Sequence, residues 1–160
     1  MAQQIHKVRT QAQIDCYRDE FRRGIETILK DTLVDDQTVD DIYAQLTEHL
    51  DQENGLWVVL DEGRLVAWIS AKCYHDHDRK TACITWAYST PRSRANDLVM
   101  ETVEKWARAE NCRAIYCARR MTRLRAFLRR LRHYGYEFEC IVMAKDFVPA
   151  EADAGHAATG

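Results

Sequence analysis

The chain has 160 residues, 46% of them hydrophobic and 30% charged, with only six glycines and two prolines. That balance fits one globular domain with a real core and excludes a disordered or collagen-like chain. The net charge of −2 gives no global reason to expect nucleic acid or a membrane as a partner.

In chain order, a short strand is predicted over residues 4–9 and a helix over 11–30, where Ile14, Tyr17, Phe21, Ile25 and Ile28 recur at helical spacing. A second helix is predicted to start at Asp36, a good N-cap residue, with Val39, Ile42, Leu46 and Leu50 on one face. Asn54-Gly55 is read as its stop signal. The pattern then turns to β, with strands at 56–60, 65–74 and 81–90, a tight turn at Asp61-Glu62-Gly63 and a polar loop at 75–80. These three strands read as an antiparallel meander.

Pro91 ends the third of them. Residues 93–110 read as a helix burying Leu98, Val99, Val103, Trp106 and Ala107, ended by Asn111. A buried strand at 113–118 follows, then a helix from Thr122 with Leu124, Phe127, Leu128, Leu131 and Tyr134 on its apolar stripe. Gly135 is its expected C-cap, and 137–147 the last strand. The order is β-α-α-β-β-β-α-β-α-β: an α/β (α+β) fold with a mixed, mostly antiparallel sheet flanked by helices. One domain is expected over 1–147 and a flexible tail over 148–160.

The six cysteines form no CxxC pair, and the first residues carry no apolar signal segment. They read as reduced, largely buried thiols of a cytoplasmic protein. His75-Asp76-His77-Asp78 has the composition of a metal cluster, but no distant set of ligands completes it, so a solvated loop is expected and no metal. Eight arginines lie between Arg113 and Arg132 with no acidic residue among them. Arg125, Arg129 and Arg132 form one basic stripe, which reads either as a contact surface for nucleic acid or an acidic protein, or as a solvated face. Trp57, Trp68, Trp86 and Trp106 are expected in the core.

The segment ITWAYSTPRSRANDLVMETVEKWARAENCRAIYC, at 84–117, resembles the central block of the GNAT superfamily of N-acetyltransferases: a strand, a phosphate-binding turn, a helix, then a strand. MTRLRAFLRRLRHYGYEFE, at 121–139, resembles the next block, with Gly135-Tyr136 at the family's Gly-aromatic pair. The resemblance implies a sheet that splays between the strand before the turn and the strand after it, with acyl-CoA in the slot and its pyrophosphate on the helix N-terminus. Carried onto this chain, it implies acetyl-CoA held by Trp86, Arg92, Ser93, Arg94, Ala95, Asn96 and Asp97, with Trp86 or Tyr88 lining the acceptor slot.

Two departures stand against that pattern. The family turn carries glycines, whereas Pro91 to Asp97 has none. The position of the family's late general-acid tyrosine holds Leu131. Tyr134 and Tyr88 are the candidate catalytic phenols, with Tyr116 a further one; His75, His77 and His133 are candidate bases. The resemblance therefore implies two readings. One is a CoA-dependent N-acyltransferase taking acyl-CoA and an amine. The other is a catalytically inactive GNAT-fold binding or assembly module, similar to those of tailed bacteriophages, found in host cytoplasm or virion, using the basic helix within an oligomer or larger assembly.

Overall fold

A computed structural model describes residues 3–31, 37–48, 50, 53–76, 79–90, 95–117, 129 and 132–136. β1 (Gln4–Val8) leads into α1 (Gln11–Asp15) and α2 (Arg18–Asp31). Thr10 opens α1 with a capping box: its Oγ1 accepts from Gln13 N–H at 3.3 Å while Gln13 Oε1 accepts from Thr10 N–H at 3.2 Å. The single helix predicted over 11–30 is divided at Cys16-Tyr17, where Tyr17 N–H bonds Ile14 O in a tightened turn.

α3 (Val39–Glu48) starts later than the predicted Asp36 cap, because Thr38 and Asp41 cap it reciprocally. Thr38 N–H and Oγ1–H both reach Asp41 Oδ2 at 2.7 Å, and Asp41 N–H returns to Thr38 Oγ1. Asn54-Gly55 does not stop a helix; it opens β2 (Asn54–Asp61). Gly55 leaves no space for a Cβ beneath the Trp57 indole, so the glycine serves ring packing.

β2 and β3 (Arg64–Asp76) form a hairpin across Glu62 and Gly63. Both turn residues have positive φ, 50° and 78°, as a two-residue type I′ turn requires. β3 and β4 (Arg79–Ser89) pair out to Asp76↔Arg79, so most of the predicted polar loop at 75–80 is ladder. Polar contacts hold those strand ends: His75 Nε2 lies 3.3 Å from Glu53 Oε1, and Lys80 Nζ 3.0 Å from Glu110 Oε2. α4 (Ala95–Ala109) then leads to β5 (Ile115–Cys117), which runs parallel to β4. Asn111, at φ 58°, closes α4 with a Schellman motif: Cys112 N–H bonds Ala107 O and Asn111 N–H bonds Arg108 O.

The sheet order is β1-β2-β3-β4-β5, antiparallel except for the last pair. Two apolar layers cover its faces. Ile14, Phe21, Ile25, Ile28, Ile42 and Leu46 from the first three helices pack on Leu56, Val58, Trp68 and Trp86. Ala95, Val99 and Val103 of α4 pack on Trp57, Val59, Ala67, Ile69 and Ile84 on the other face. This is the mixed α/β architecture the sequence implied. Gly135, at φ 78°, accepts no side chain easily and donates to Arg132 O, the geometry of a helix C-cap. The remainder of the expected last helix, the last strand and the tail at 148–160 lie outside the described residues.

Candidate active site

The site is organised by a bulge in β4. Ser70 pairs with Trp86 and Ala71 with Ile84, so Thr85 is the extra residue. Side chains alternate along a strand, and one inserted residue reverses which face they meet. Ile84 accordingly packs in the α4 layer, whereas Trp86 and Tyr88 pack in the α2–α3 layer. Ser70, the one buried polar residue of the described core, pins the bulge. Its Oγ lies 2.7 Å from Thr85 Oγ1, and Thr85 Oγ1–H donates to Ser70 O at 3.2 Å. A buried hydroxyl must find a partner, and here the two hydroxyls satisfy each other where the ladder is irregular.

Trp86 is 9% exposed, and its Nε1–H donates to Gln45 Oε1 of α3 at 3.2 Å. Tyr88 is half-buried, with its ring centroid 6.3 Å from that of Trp68. α2 comes close to both rings at Gly24, where an added Cβ would lie 2.7 Å from Trp68 Nε1 and 2.9 Å from Tyr88 Cδ1. Sequence reading missed Gly24, Gln45, Ser70 and Thr85. A glycine inside a helical run was a usable signal for the first. Nothing in ITWAYS announces the bulge, because Ile84, Trp86 and Tyr88 read as one continuous alternation.

Ala95, Asn96 and Asp97 form the first turn of α4, on the opposite side of the sheet from the Trp86 and Tyr88 rings. Ala95 is buried, Asn96 half-buried and Asp97 exposed. Arg92, Ser93 and Arg94 lie outside the described residues. Tyr134 joins this second group: its hydroxyl donates to Asp97 Oδ1 at 2.8 Å, fastening the end of the arginine-rich segment to α4. The structure therefore brings together Trp86 with Tyr88, and Asp97 with Tyr134, and puts the sheet between the two pairs. The described β4–β5 ladder runs from Ala82↔Ile115 to Ile84↔Cys117, and β4 continues to Ser89. The chain that would show a splay beside Trp86 begins at residue 118, outside the described residues.

The other candidates are dispersed. His75 is engaged with Glu53, His133 stacks edge-on against Tyr134 at 5.2 Å, and Tyr116 is 41% exposed on β5. Burial pushes the Tyr136 phenol well above its ordinary value, and nearby Cys117 and Glu104 add to the effect. Arg129 and Arg132 are exposed, and Arg125 lies outside the described residues. Among the described residues no group of His, Cys, Asp and Glu is arranged to hold a metal ion, and no helix is long and apolar enough to cross a membrane.

Similar proteins add a family to this geometry. The chain superposes on an aminoglycoside acetyltransferase, AAC(6')-Iy, in complex with a bisubstrate analogue of CoA, with a TM-score of 0.71 at 13% identity, covering 92% of this chain and 100% of the other. Glucosamine-6-phosphate N-acetyltransferase from Arabidopsis thaliana gives a TM-score of 0.64 at 17% identity, covering 92% and 100%. An aminoglycoside acetyltransferase from an uncultured soil metagenomic sample, in complex with sisomicin, gives 0.67 at 8% identity, covering 91% and 97%. At such identities these likenesses speak for the fold alone. No curated protein matches the sequence. The sequence model of the acetyltransferase (GNAT) family matches residues 15–136, from the end of α1 through the Gly135-Tyr136 pair, and the chain belongs to that family.

Proposed function

We propose that this chain is an acyl-CoA-dependent N-acyltransferase. An amine acceptor attacks the thioester carbonyl, the new C–N bond forms as the C–S bond breaks, and the amine proton leaves to solvent or a nearby base. The observation that carries this reading is the bulge at Thr85. It turns Trp86 and Tyr88 toward the α2–α3 layer while the helix that follows β4 begins on the other face. A ligand passing through a splay beside the far half of β4 would meet an aromatic wall on one face of the sheet and a helix N-terminus on the other. The first turn of α4 favours an anion through the helix dipole, which suits the pyrophosphate of CoA. Positioning, rather than a strong acid or base, would carry the rate.

One observation favours a second reading, a GNAT-fold binding or assembly module without chemistry. Asp97 adds a negative charge to the turn where a pyrophosphate would sit, and it holds the Tyr134 hydroxyl. The basic stripe at Arg125, Arg129 and Arg132 would then be the contact surface.

Acetyl-CoA titration against thermal unfolding separates the two. An enzyme gains about 2.7 kcal/mol of stability at a hundredfold excess over Kd. CoA release with a panel of primary amines then reports turnover. No thermal shift at millimolar acetyl-CoA would exclude the acyltransferase.

A further inference from the structure

We propose that Cys73 and Cys112 form a reversible disulfide that staples the C-terminal cap of α4 to β3. This inference is independent of whether the chain binds acyl-CoA. The two thiols are free, half-buried and in contact, with their sulfurs 3.5 Å apart. Both backbones are fixed before any bond forms. Cys73 sits in the β3–β4 ladder opposite Ala82, and its N–H bonds Glu53 O at 3.1 Å. Cys112 is the third residue past the end of α4, and the Schellman motif holds it by the 2.8 Å bond from its N–H to Ala107 O. The next residue is tied as well, since Arg113 N–H donates to Lys80 O across from the same ladder. Closing the sulfur gap needs a side-chain rotation more than a backbone movement.

The oxidant is a small disulfide of the glutathione type. Cys112, as thiolate, attacks one sulfur of it and releases one thiol, leaving a mixed disulfide on Cys112. Cys73 then attacks the Cys112 sulfur and expels the second thiol. One S–S bond is broken and one formed, two electrons pass from the protein pair to the oxidant, and the two protein protons end on the released thiols. Cys112 is the natural first attacker. Burial pushes the Cys73 thiol up to about 12, with the Cys112 sulfur and Glu110 adding to the effect and Lys80 opposing it.

The expected consequence is stability. The bond would close a loop of 39 residues between the hairpin and the α4 cap. A closure of that size raises the Tm by roughly 10 °C for a domain of this length. The test is incubation of the full chain with oxidised glutathione, then non-reducing peptide mapping and thermal unfolding, with reduced protein beside it. The proposal expects a peptide linked through Cys73 and Cys112, loss of two hydrogens by intact mass, and the Tm rise, all reversed by dithiothreitol. Cys73→Ser and Cys112→Ser each abolish the linked peptide and the rise, while Cys83→Ser leaves both. Glutathione adducts on exposed Cys16 with no linked peptide would overturn it, as would a link between other cysteines, or a link that leaves the Tm unchanged. If either serine variant fails to fold, the oxidised and reduced forms of the unaltered chain still decide the matter.

Discussion

Replacing Gly24 by alanine tests whether α2 lies as close to the sheet as the site requires. The added methyl would meet Trp68 Nε1 at 2.7 Å, Tyr88 Cδ1 at 2.9 Å and Tyr88 Cγ at 3.0 Å. Carbon contacts of that kind relax to about 3.5–4.0 Å, so the rings or the helix must move by most of an ångström. Trp68 has little freedom, since it is fully buried and its ring centroid lies 5.5 Å from that of Phe21. Overpacking of this kind costs about 1–3 kcal/mol. Alanine recovers about 1 kcal/mol through helix propensity. The net expectation is a loss of about 1 kcal/mol, or roughly 2–4 °C in Tm. Urea unfolding measures it, with an unchanged m-value showing that the folded and unfolded ensembles are otherwise alike. Near-ultraviolet circular dichroism should change at the same time, because Trp68 and Tyr88 supply the displaced rings. A variant stabilised by the full propensity gain, with its aromatic spectrum intact, would refute the close approach.

Three further outcomes follow from the same geometry. Ser70→Ala and Thr85→Val should each cost about 1–2 kcal/mol in chemical denaturation, because each removes the 2.7 Å hydroxyl–hydroxyl bond at the buried bulge. The double variant should cost less than the sum, since both single variants remove the same hydroxyl–hydroxyl bond. Tyr134→Phe and Asp97→Ala should lower stability by similar amounts, near 1 kcal/mol, and the pair together by little more than either alone. A fall in turnover for Tyr134→Phe at unchanged stability would instead make that phenol part of the chemistry. Acid unfolding reports Asp15, whose carboxyl is held below its ordinary value of 3.8 by hydrogen bonds from Arg18, then Gln11 and Tyr43. A lowered folded pKa contributes stability above the unfolded value that is lost as pH falls through the folded one. The slope of stability against pH below about 3.8 should therefore flatten in Asp15→Asn.

The parts of the fold that were legible in the sequence are those where one periodicity dominates. Phe21, Ile25 and Ile28 of α2, Ile42 and Leu46 of α3, and Val99, Val103 and Ala107 of α4 are buried, as a 3.6-residue stripe requires. Leu98 and Trp106, expected on that stripe, are only half-buried at its margin, where Trp106 meets Trp57 edge-on at 5.2 Å. Of the thiols expected to be largely buried, Cys73, Cys83, Cys112 and Cys117 are half-buried and Cys16 is exposed, while Cys140 lies outside the described residues. What was not legible depends on pairing. Asp76 and Arg79 are polar enough to read as loop, yet a ladder partner opposite each keeps them in strand. Thr38 outcompetes Asp36 as a cap because Asp41 stands three residues on to answer it, a reciprocal geometry that a single-residue preference ignores.

The bulge makes the same point at the site. A strand that kept strict alternation from Ile84 onward would send Trp86 and Tyr88 into the α4 layer, against Ala67, Ala95 and Val99. Ala67, Ala71 and Ala95 are the small members of that layer, so two large rings set against them would lift the helix and carry Asn96 and Asp97 with it. By inserting Thr85, the chain sends the rings to the α2–α3 layer, where Gly24 supplies room and Gln45 a hydrogen-bond acceptor. The small residues under α4 and the aromatic ones under α2 are thus one decision, taken at Thr85. It follows that the two faces of the candidate site cannot be altered independently through β4, whereas Gly24 and Asp97 lie on separate helices and can be.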